Sequence, residues 1–483
     1  MRRGLLLLVA LAGLQPAHAQ TRPHMKWAFA TGGKILSHPV VSGSVVYFGS
    51  SDNSVYAVDA NTGTRLWSYV TSGAVRGPVL VHNEVVYLAS ENVVYALDKH
   101  TGKKMWTFTS KSDRGAQQLD PWDYHTGAPV MHGSTLYVGL GDGHVYGLDA
   151  SNGALVTAIA TVDTVPVRSG LVIEDATLYF GDWNGRLYAF DLNSRRRQWV
   201  YRTFETRPYA TFGAINTTPV LAGDVVVFGG RNPELQVVDK KTGAKRWSYT
   251  EEDGGWISGD PLVVGDTLFI GGSDNHEMFA FNVQTGERYW TYKFLYNNFS
   301  RPLAYQDVLL FTIGDAYTVF GRSTGRGYLY ALDRSTGTVK NIAVIGGNAH
   351  TSPVLQNGLL LVGSEDHHLY AIDVDAFLSG PFRMEDIGYN AGDIAEVTPT
   401  PFDTLTLIRY RVSYRSDIEL RITDLNDSTI TVLHSGNTAP GEYTVHWDGR
   451  DHSGHEVEDG HYAAKLSSKD YYKTAFVEKR TAK

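Results

Sequence analysis

Hydrophobic and polar residues alternate in short runs along most of this chain, with turn residues between the runs. "SVVYFGS" (Ser44–Ser50) is followed by a turn, then "VYAVD" (Val55–Asp59), a second turn "DANTG", and "RLWSY" (Arg65–Tyr69). Period-two runs bounded by Gly, Asn, Asp and Ser predict strands joined by tight turns. The unit "VYAVDANTGTRLWSY" returns as "VYALDKHTGKKMWTF", "VYGLDASNGALVTAI", "LYAFDLNSRRRQWVY", "LQVVDKKTGAKRWSY", "MFAFNVQTGERYWTY", "LYALDRSTGTVKNIA" and "LYAIDVDAFLSG". Its anchors are Asp59, Asp98, Asp149, Asp191, Asp239, Asn282, Asp333 and Asp373. A mean spacing of about 45 residues suits one four-stranded propeller blade per copy.

Each conserved element of the unit has a physical use. The carboxylate of Asp59, Asp98 or Asp239 can accept backbone N–H bonds two residues on. Gly63, Gly102, Gly243 and Gly286 permit a left-handed backbone in the same turn. Trp67, Trp106, Trp247 and Trp290 offer a large apolar face with one N–H, suited to packing between neighbouring blades. Innermost strands are marked by proline ("SHPVV", "RGPVL", "GAPVM", "TTPVL", "GDPLV", "SRPLA", "TSPVL"), with "TVPVRSG" a less regular fourth copy. The last copy lacks its final strand, and "MKWAFATGG", with Trp27, resembles the missing piece. These features predict an all-β, eight-bladed β-propeller closed by an N-terminal strand, which removes free sheet edges.

Composition narrows the class. A hydrophobic content of 42%, a charged content of 19%, 50 glycines and 28 tyrosines describe a folded, turn-rich protein. A net charge of -8 gives no argument for a nucleic-acid partner. Residues 1–19 read as a signal peptide: Arg2 and Arg3, an apolar Gly4–Leu14, then Ala17-His18-Ala19. No later apolar run is long enough to span a bilayer. We therefore expect an exported protein, periplasmic or at the bacterial cell surface. With no cysteine, disulfides, a cysteine-linked N-terminal lipid and Cys-x-x-Cys-His haem attachment are excluded.

The repeat occupies residues 24–376. Residues 377–396 read as a polar linker, and residues 397–483 as a hairpin-rich β module with turns at Asp448-Gly449, Ser453-Gly454 and Asp459-Gly460. Calcium-loop spacing is not met there, so turn chemistry is the reading.

The signature Ala-x-Asp-x-x-x-Gly-x-x-x-Trp resembles the PQQ-like propeller repeat, over roughly Met25 to Ala376. That family includes quinoprotein dehydrogenases and the outer-membrane assembly factor BamB. The run Gly441–Asp451, with Gly454, Val457, Gly460 and Tyr462, resembles the Ig-like domain of the hook-capping protein FlgD. This implies an Ig-like β-sandwich acting as spacer or attachment tail, with envelope or surface association through it. Trp122-Asp123-Tyr124 also matches a run in quinoprotein alcohol dehydrogenases. For those enzymes the resemblance implies pyrroloquinoline quinone (PQQ), a calcium held partly by Glu and Asn, an Asp base and an adjacent-cysteine disulfide. The disulfide is impossible here, the long inter-blade insertions are lacking, and no acidic cluster stands out among the inner strands. The expectation is a non-catalytic binding or scaffold protein with no cofactor and no metal. A PQQ- and calcium-dependent dehydrogenase, and a surface structural subunit held by the Ig-like tail, stay open as alternatives.

Repeat phase puts the turn between second and third strands on the same rim as the inter-blade loops. That rim collects the irregular, aromatic-rich segments. Its candidate partner-binding residues are Trp122, Asp123, Tyr124, His125, Trp183, Tyr209, Trp256, Arg301, Tyr317 and His350. Such residues suit a protein or glycan partner. The same rings would also serve to pack loops onto the propeller; their clustering on one rim favours binding. The histidines His125, His144, His276, His350, His367 and His368 lie near the channel or in rim turns, without a recognised metal-ligand spacing.

Overall fold

A computed structural model describes residues 24–110, 127–203, 213–251, 255–273, 275–294, 296–314, 327–381, 392–412, 416–425, 428–439, 441–468 and 471–481. Residues 1–19, read above as a signal peptide, and the candidates Trp122, Asp123, Tyr124, His125, Tyr209 and Tyr317 lie outside these residues.

The alternating runs form antiparallel four-stranded sheets of a β-propeller. They cover residues 40–70, 80–109, 130–160, 172–202, 220–250, 262–293, 303–346 and 354–373, called here the first to eighth sheets. The eighth takes its outermost strand from Met25–Ala30, paired antiparallel with His368–Asp373. The first and eighth sheets are neighbours: the Ile35 N–H donates to Ser364 O at 3.1 Å, and Gln356 Nε2 to Gly43 O at 2.8 Å.

The turn between third and fourth strands is built the same way along the chain. Asp59 Oδ1 accepts from the N–H groups of Asn61 and Thr62, while Gly63 sits at φ 72°. Backbone N–H donors hold the carboxyls of Asp59 and Asp191 below the ordinary range, and the hydroxyls of Thr101, Ser151 and Ser335 do most of the same for Asp98, Asp149 and Asp333. Asp373, which caps the helix Val374–Ser379, is held low by the Ala376 N–H. For Asp239 the Arg246 guanidinium adds the largest share. Asn282 makes the same backbone bonds without a charge.

Just beyond this turn a β-bulge shifts the register of the fourth strand. Between Ala57 and Val58 it skips Leu66, which stays exposed, and turns Trp67 inward opposite Ala57. The indole lies over the turn glycine of the next sheet. A Cβ on Gly102 would stand 2.6 Å from the Trp67 ring, so glycine is required by approach as well as by φ. Trp67 Nε1 donates to Lys99 O at 2.9 Å. Trp27, Trp106, Trp199, Trp247 and Trp290 cover Gly63, Gly153, Gly243, Gly286 and Gly337 in the same manner.

Two junctions break the rule, and each breaks it on both sides. Thr157 takes the tryptophan position in the third sheet, and the fourth sheet has Arg195 at the glycine position, with φ 55°. Asn341 takes it in the seventh sheet, facing Phe377 of the short helix Val374–Ser379. Asn341 Nδ2 donates to Phe377 O at 2.5 Å, and Phe377 is fully buried.

The innermost strands show a correction. In the fourth sheet that strand is Val172–Glu174, so Pro166 is not its marker; Leu171 stands where most copies have proline. In the second sheet Val79 takes that place and Pro78 sits one residue earlier. An innermost strand is a sheet edge, where proline is tolerated and not required.

The C-terminal segment is an Ig-like sandwich. One sheet holds Gly392–Thr398, Thr406–Val412 and Gly441–Trp447; the other holds Thr429–Thr438, Ser416–Thr423, Gly460–Ser468 and Tyr471–Lys479. Trp447, Phe402, Ile408, Leu420 and Tyr462 pack between them. The strand Gly392–Thr398 lies largely within the stretch read as linker. As an edge strand it is held by backbone pairing with Thr406–Val412, which a polar composition does not reveal. No helix among the described residues is long and apolar enough to cross a membrane.

Candidate functional site

The second-to-third-strand turns bond to the segments that enter the innermost strands, which makes them one rim. The N–H groups of Ser51, Trp183, Arg231, Ser273 and Glu365 donate to the carbonyls of Lys34, Pro166, Ala214, Trp256 and Asn348. Several of these turns are pinned by a tyrosine from the third strand. Tyr56, Tyr146, Tyr188 and Tyr370 donate to Asp52, Asp142, Asp182 and Asp366 at 2.6–2.7 Å. Burial raises the Asp182 carboxyl above its ordinary value and pushes the Tyr56 hydroxyl up to about 12.

Two candidates chosen from sequence, Trp183 and Trp256, meet on this rim. They do so through a residue that sequence reasoning passed over. Arg231, in the rim turn of the fifth sheet, is 2% exposed. Its guanidinium carbon lies 4.9 Å from the Trp183 ring and 4.5 Å from the Trp256 ring. Trp183 comes from the fourth sheet and Trp256 from the segment entering the sixth. A planar, weakly hydrated guanidinium stacked between two indoles is a rigid cation–π clamp across three sheets.

His350 belongs to a second cluster on the same rim. Its Nδ1 lies 2.9 Å from Glu365 Oε1, while Lys34 Nζ lies 2.6 Å from Glu365 Oε2. Phe299 meets the imidazole edge-on at 5.1 Å. Burial works to raise the Glu365 carboxyl, but His350 and Lys34 outweigh it and hold the group at about 2. These residues enter from the segments before the first, seventh and eighth sheets and from the eighth rim turn. Sequence reasoning missed Lys34, Glu365 and Arg231. Aligning the rim turns "GSED", "GDWN" and "GGRN" by repeat phase would have put Glu365, Trp183 and Arg231 at one position.

Arg301 lies apart from both clusters. It precedes the innermost strand of the seventh sheet, at the repeat position of His38, Thr218, Asp260 and Ser352. Side chains at this position accept backbone N–H bonds from the preceding sheet: Thr218 to Asp260 at 2.7 Å, Arg301 to Ser352 at 2.8 Å, and Ser352 to His38 Nδ1 at 2.8 Å. Burial holds the His38 imidazole down to about 4, so it stays neutral and accepting. The rim histidines His144 and His368 approach the carbonyls of their own turns. Among the described residues no three His, Asp or Glu side chains gather as a metal site.

Comparison with known proteins places this geometry. The model of the family described as outer membrane protein assembly factor BamB matches residues 17–249 and 206–309. The FlgD Ig-like domain model matches residues 408–471. Tetrathionate hydrolase of Acidithiobacillus ferrooxidans is 24% identical over 389 residues, 72% of this chain and 74% of that protein. BamB of Shewanella oneidensis is 23% identical over 286 residues, 56% of each. Among solved structures, a europium-containing methanol dehydrogenase superposes with a TM-score of 0.58 at 14% identity, covering 70% of this chain and 85% of that one. At that identity the likeness speaks for the fold alone.

Proposed function

The chain belongs to the propeller-repeat family described as outer membrane protein assembly factor BamB, and from that premise we propose that it is an exported, non-catalytic binding or scaffold protein. In this reading the sheets form an eight-bladed ring closed by Met25–Ala30. The rim of second-to-third-strand turns receives a protein or glycan partner, and the FlgD-like domain places the propeller in the envelope or at the surface. The observation that carries the reading is the Trp183–Arg231–Trp256 clamp. The two indoles are half-buried at the surface and pre-ordered by the buried Arg231, and tryptophan is among the residue types that dominate binding energy at protein interfaces.

The donor set supports the same side. Calcium asks for six to eight oxygens. The buried rim carboxylates are each committed elsewhere: Asp142 to Tyr146, Asp182 to Tyr188, Glu251 to Tyr249, Glu365 to Lys34 and His350. They stand in different sheets, so the described residues do not fit the calcium of a quinoprotein site.

Photo-crosslinking residues placed at Asn184 and His276, in rim turns beside the clamp, test the proposal in the native cell, with Lys103 on the opposite rim as control. A discrete adduct from the rim positions and none from Lys103 is expected. A second reading, catalysis, is favoured by the length of the tetrathionate hydrolase match. Turnover of tetrathionate, or of an alcohol with added PQQ and calcium, by the purified protein would overturn the scaffold reading.

A further inference from the structure

The two broken tryptophan–glycine junctions have different fates. At the seventh-to-eighth junction the chain repairs the gap itself, with the helix Val374–Ser379 and buried Phe377. At the third-to-fourth junction nothing in the described chain takes the place of the indole. Thr157 leaves a half-open cavity of about 330 Å³, walled by Phe180, Tyr188 and Phe190 and edged by Arg195 and Arg197. The lost glycine at Arg195 matters as much as the lost tryptophan. A long cation now stands where the other turns hold a residue shaped to lie under an indole.

We propose that this groove is a docking site for an aromatic side chain of a partner polypeptide, carried in an acidic segment. Three observations specify that chemistry. At its turn end, between Thr157 and Arg195, the space is the one that an indole fills at six equivalent junctions, and Phe180, Tyr188 and Phe190 wall the rest, so it suits a planar aromatic group. Its edge carries Arg195 and Arg197, both exposed, and none of the residues lining it is acidic. The opposite charge is missing from the edge, so carboxylates flanking the aromatic residue would complete it. The cavity runs along the outer groove between the third and fourth sheets, from Arg195 in the third-to-fourth-strand turn to Ala160 and Tyr188 toward the varied rim. Neither Trp183 nor Trp256 lines it, so it does not depend on the rim reading.

The test uses the full chain and a fluorescein-labelled peptide, Glu-Asp-Trp-Asp-Glu, followed by anisotropy. Saturable binding is expected, weakened about tenfold or more when the peptide tryptophan becomes alanine or its acidic residues become lysine, as for loss of an anchor. The double variant Thr157→Trp with Arg195→Gly rebuilds the regular junction and should abolish binding. Arg197→Glu, a surface change that leaves the groove open, should weaken binding and reduce its salt dependence. Absence of saturable binding overturns the proposal. So does undiminished binding by the rebuilt junction or by Arg197→Glu.

Discussion

The third-to-fourth-strand turns and the second-to-third-strand turns sit at opposite ends of the same strands and follow opposite rules. On the first rim Asp98, Gly102 and the covering Trp67 do what Asp239, Gly243 and Trp199 do elsewhere. On the second rim the equivalent turns hold Asp142, Trp183, Arg231 and Glu365, each with its own partners. Uniform local chemistry holds neighbouring sheets together, and that fixed scaffold leaves the other rim free to vary. In the proposed reading the difference separates what stabilises the molecule from what would receive a partner.

The sharpest break of that comparison is Trp67→Ala. It removes a buried indole that bridges two sheets, and a loss of about 3–5 kcal/mol is expected in urea unfolding. Trp256→Ala on the other rim removes one half-buried face of the clamp. It should lower stability by only about 1–2 kcal/mol while eliminating the rim crosslink. Equal losses at both positions would mean that the clamp is a packing device.

Glu365→Gln comes next in size. It leaves the buried His350 and the reaching Lys34 without their shared carboxylate. Breaking one partner of a largely buried ion cluster is expected to cost about 2–3 kcal/mol, measured by the same unfolding experiment. The cluster joins the segments entering the first and eighth sheets, so the effect should be largest on amide-exchange protection there.

The repeated rim was legible in the sequence because each residue type acts within its own turn or on the neighbouring copy. Asp, Gly and Trp recur at fixed offsets, and their periodicity reveals the sheets directly. The varied rim was only half legible. Trp183 and Trp256 could be placed on it by phase, but Arg231 carried no motif, and its role emerges only when three sheets bring it between two rings. Glu365 was hidden for the same reason: its partners are Lys34, far earlier in the chain, and His350. The paired losses Thr157/Arg195 and Asn341/Phe377 were present in the aligned copies. They became readable once the structure paired each tryptophan with the next copy's glycine and not its own.

Acidity separates the two kinds of contact further. His38 has an ordinary value of 6.5 and is held at about 4 by burial. Its neutral Nδ1 accepts the Ser352 N–H between the first and eighth sheets. A depressed folded value means the contribution is complete above about 6.5 and is lost as pH falls through about 4. Melting temperature should therefore decline across that window, and His38→Asn should flatten the decline. An unchanged slope in the variant would remove His38 as the cause.

Asp98→Asn is the smallest effect and the most discriminating one. The carboxyl is held low by the Thr101 hydroxyl and backbone bonds, so it stabilises the turn above the unfolded value of 3.8 and ceases to as pH falls below that. An amide can accept the same N–H bonds, as Asn282 does at the equivalent turn through Gln284 and Thr285. The variant should therefore unfold at the same urea midpoint as the parent at pH 7 and at a higher midpoint at pH 3. If it is already weaker at pH 7, the repeat needs the charge and not just the acceptor. The Asn282 turn would then be the weak point of the uniform rim.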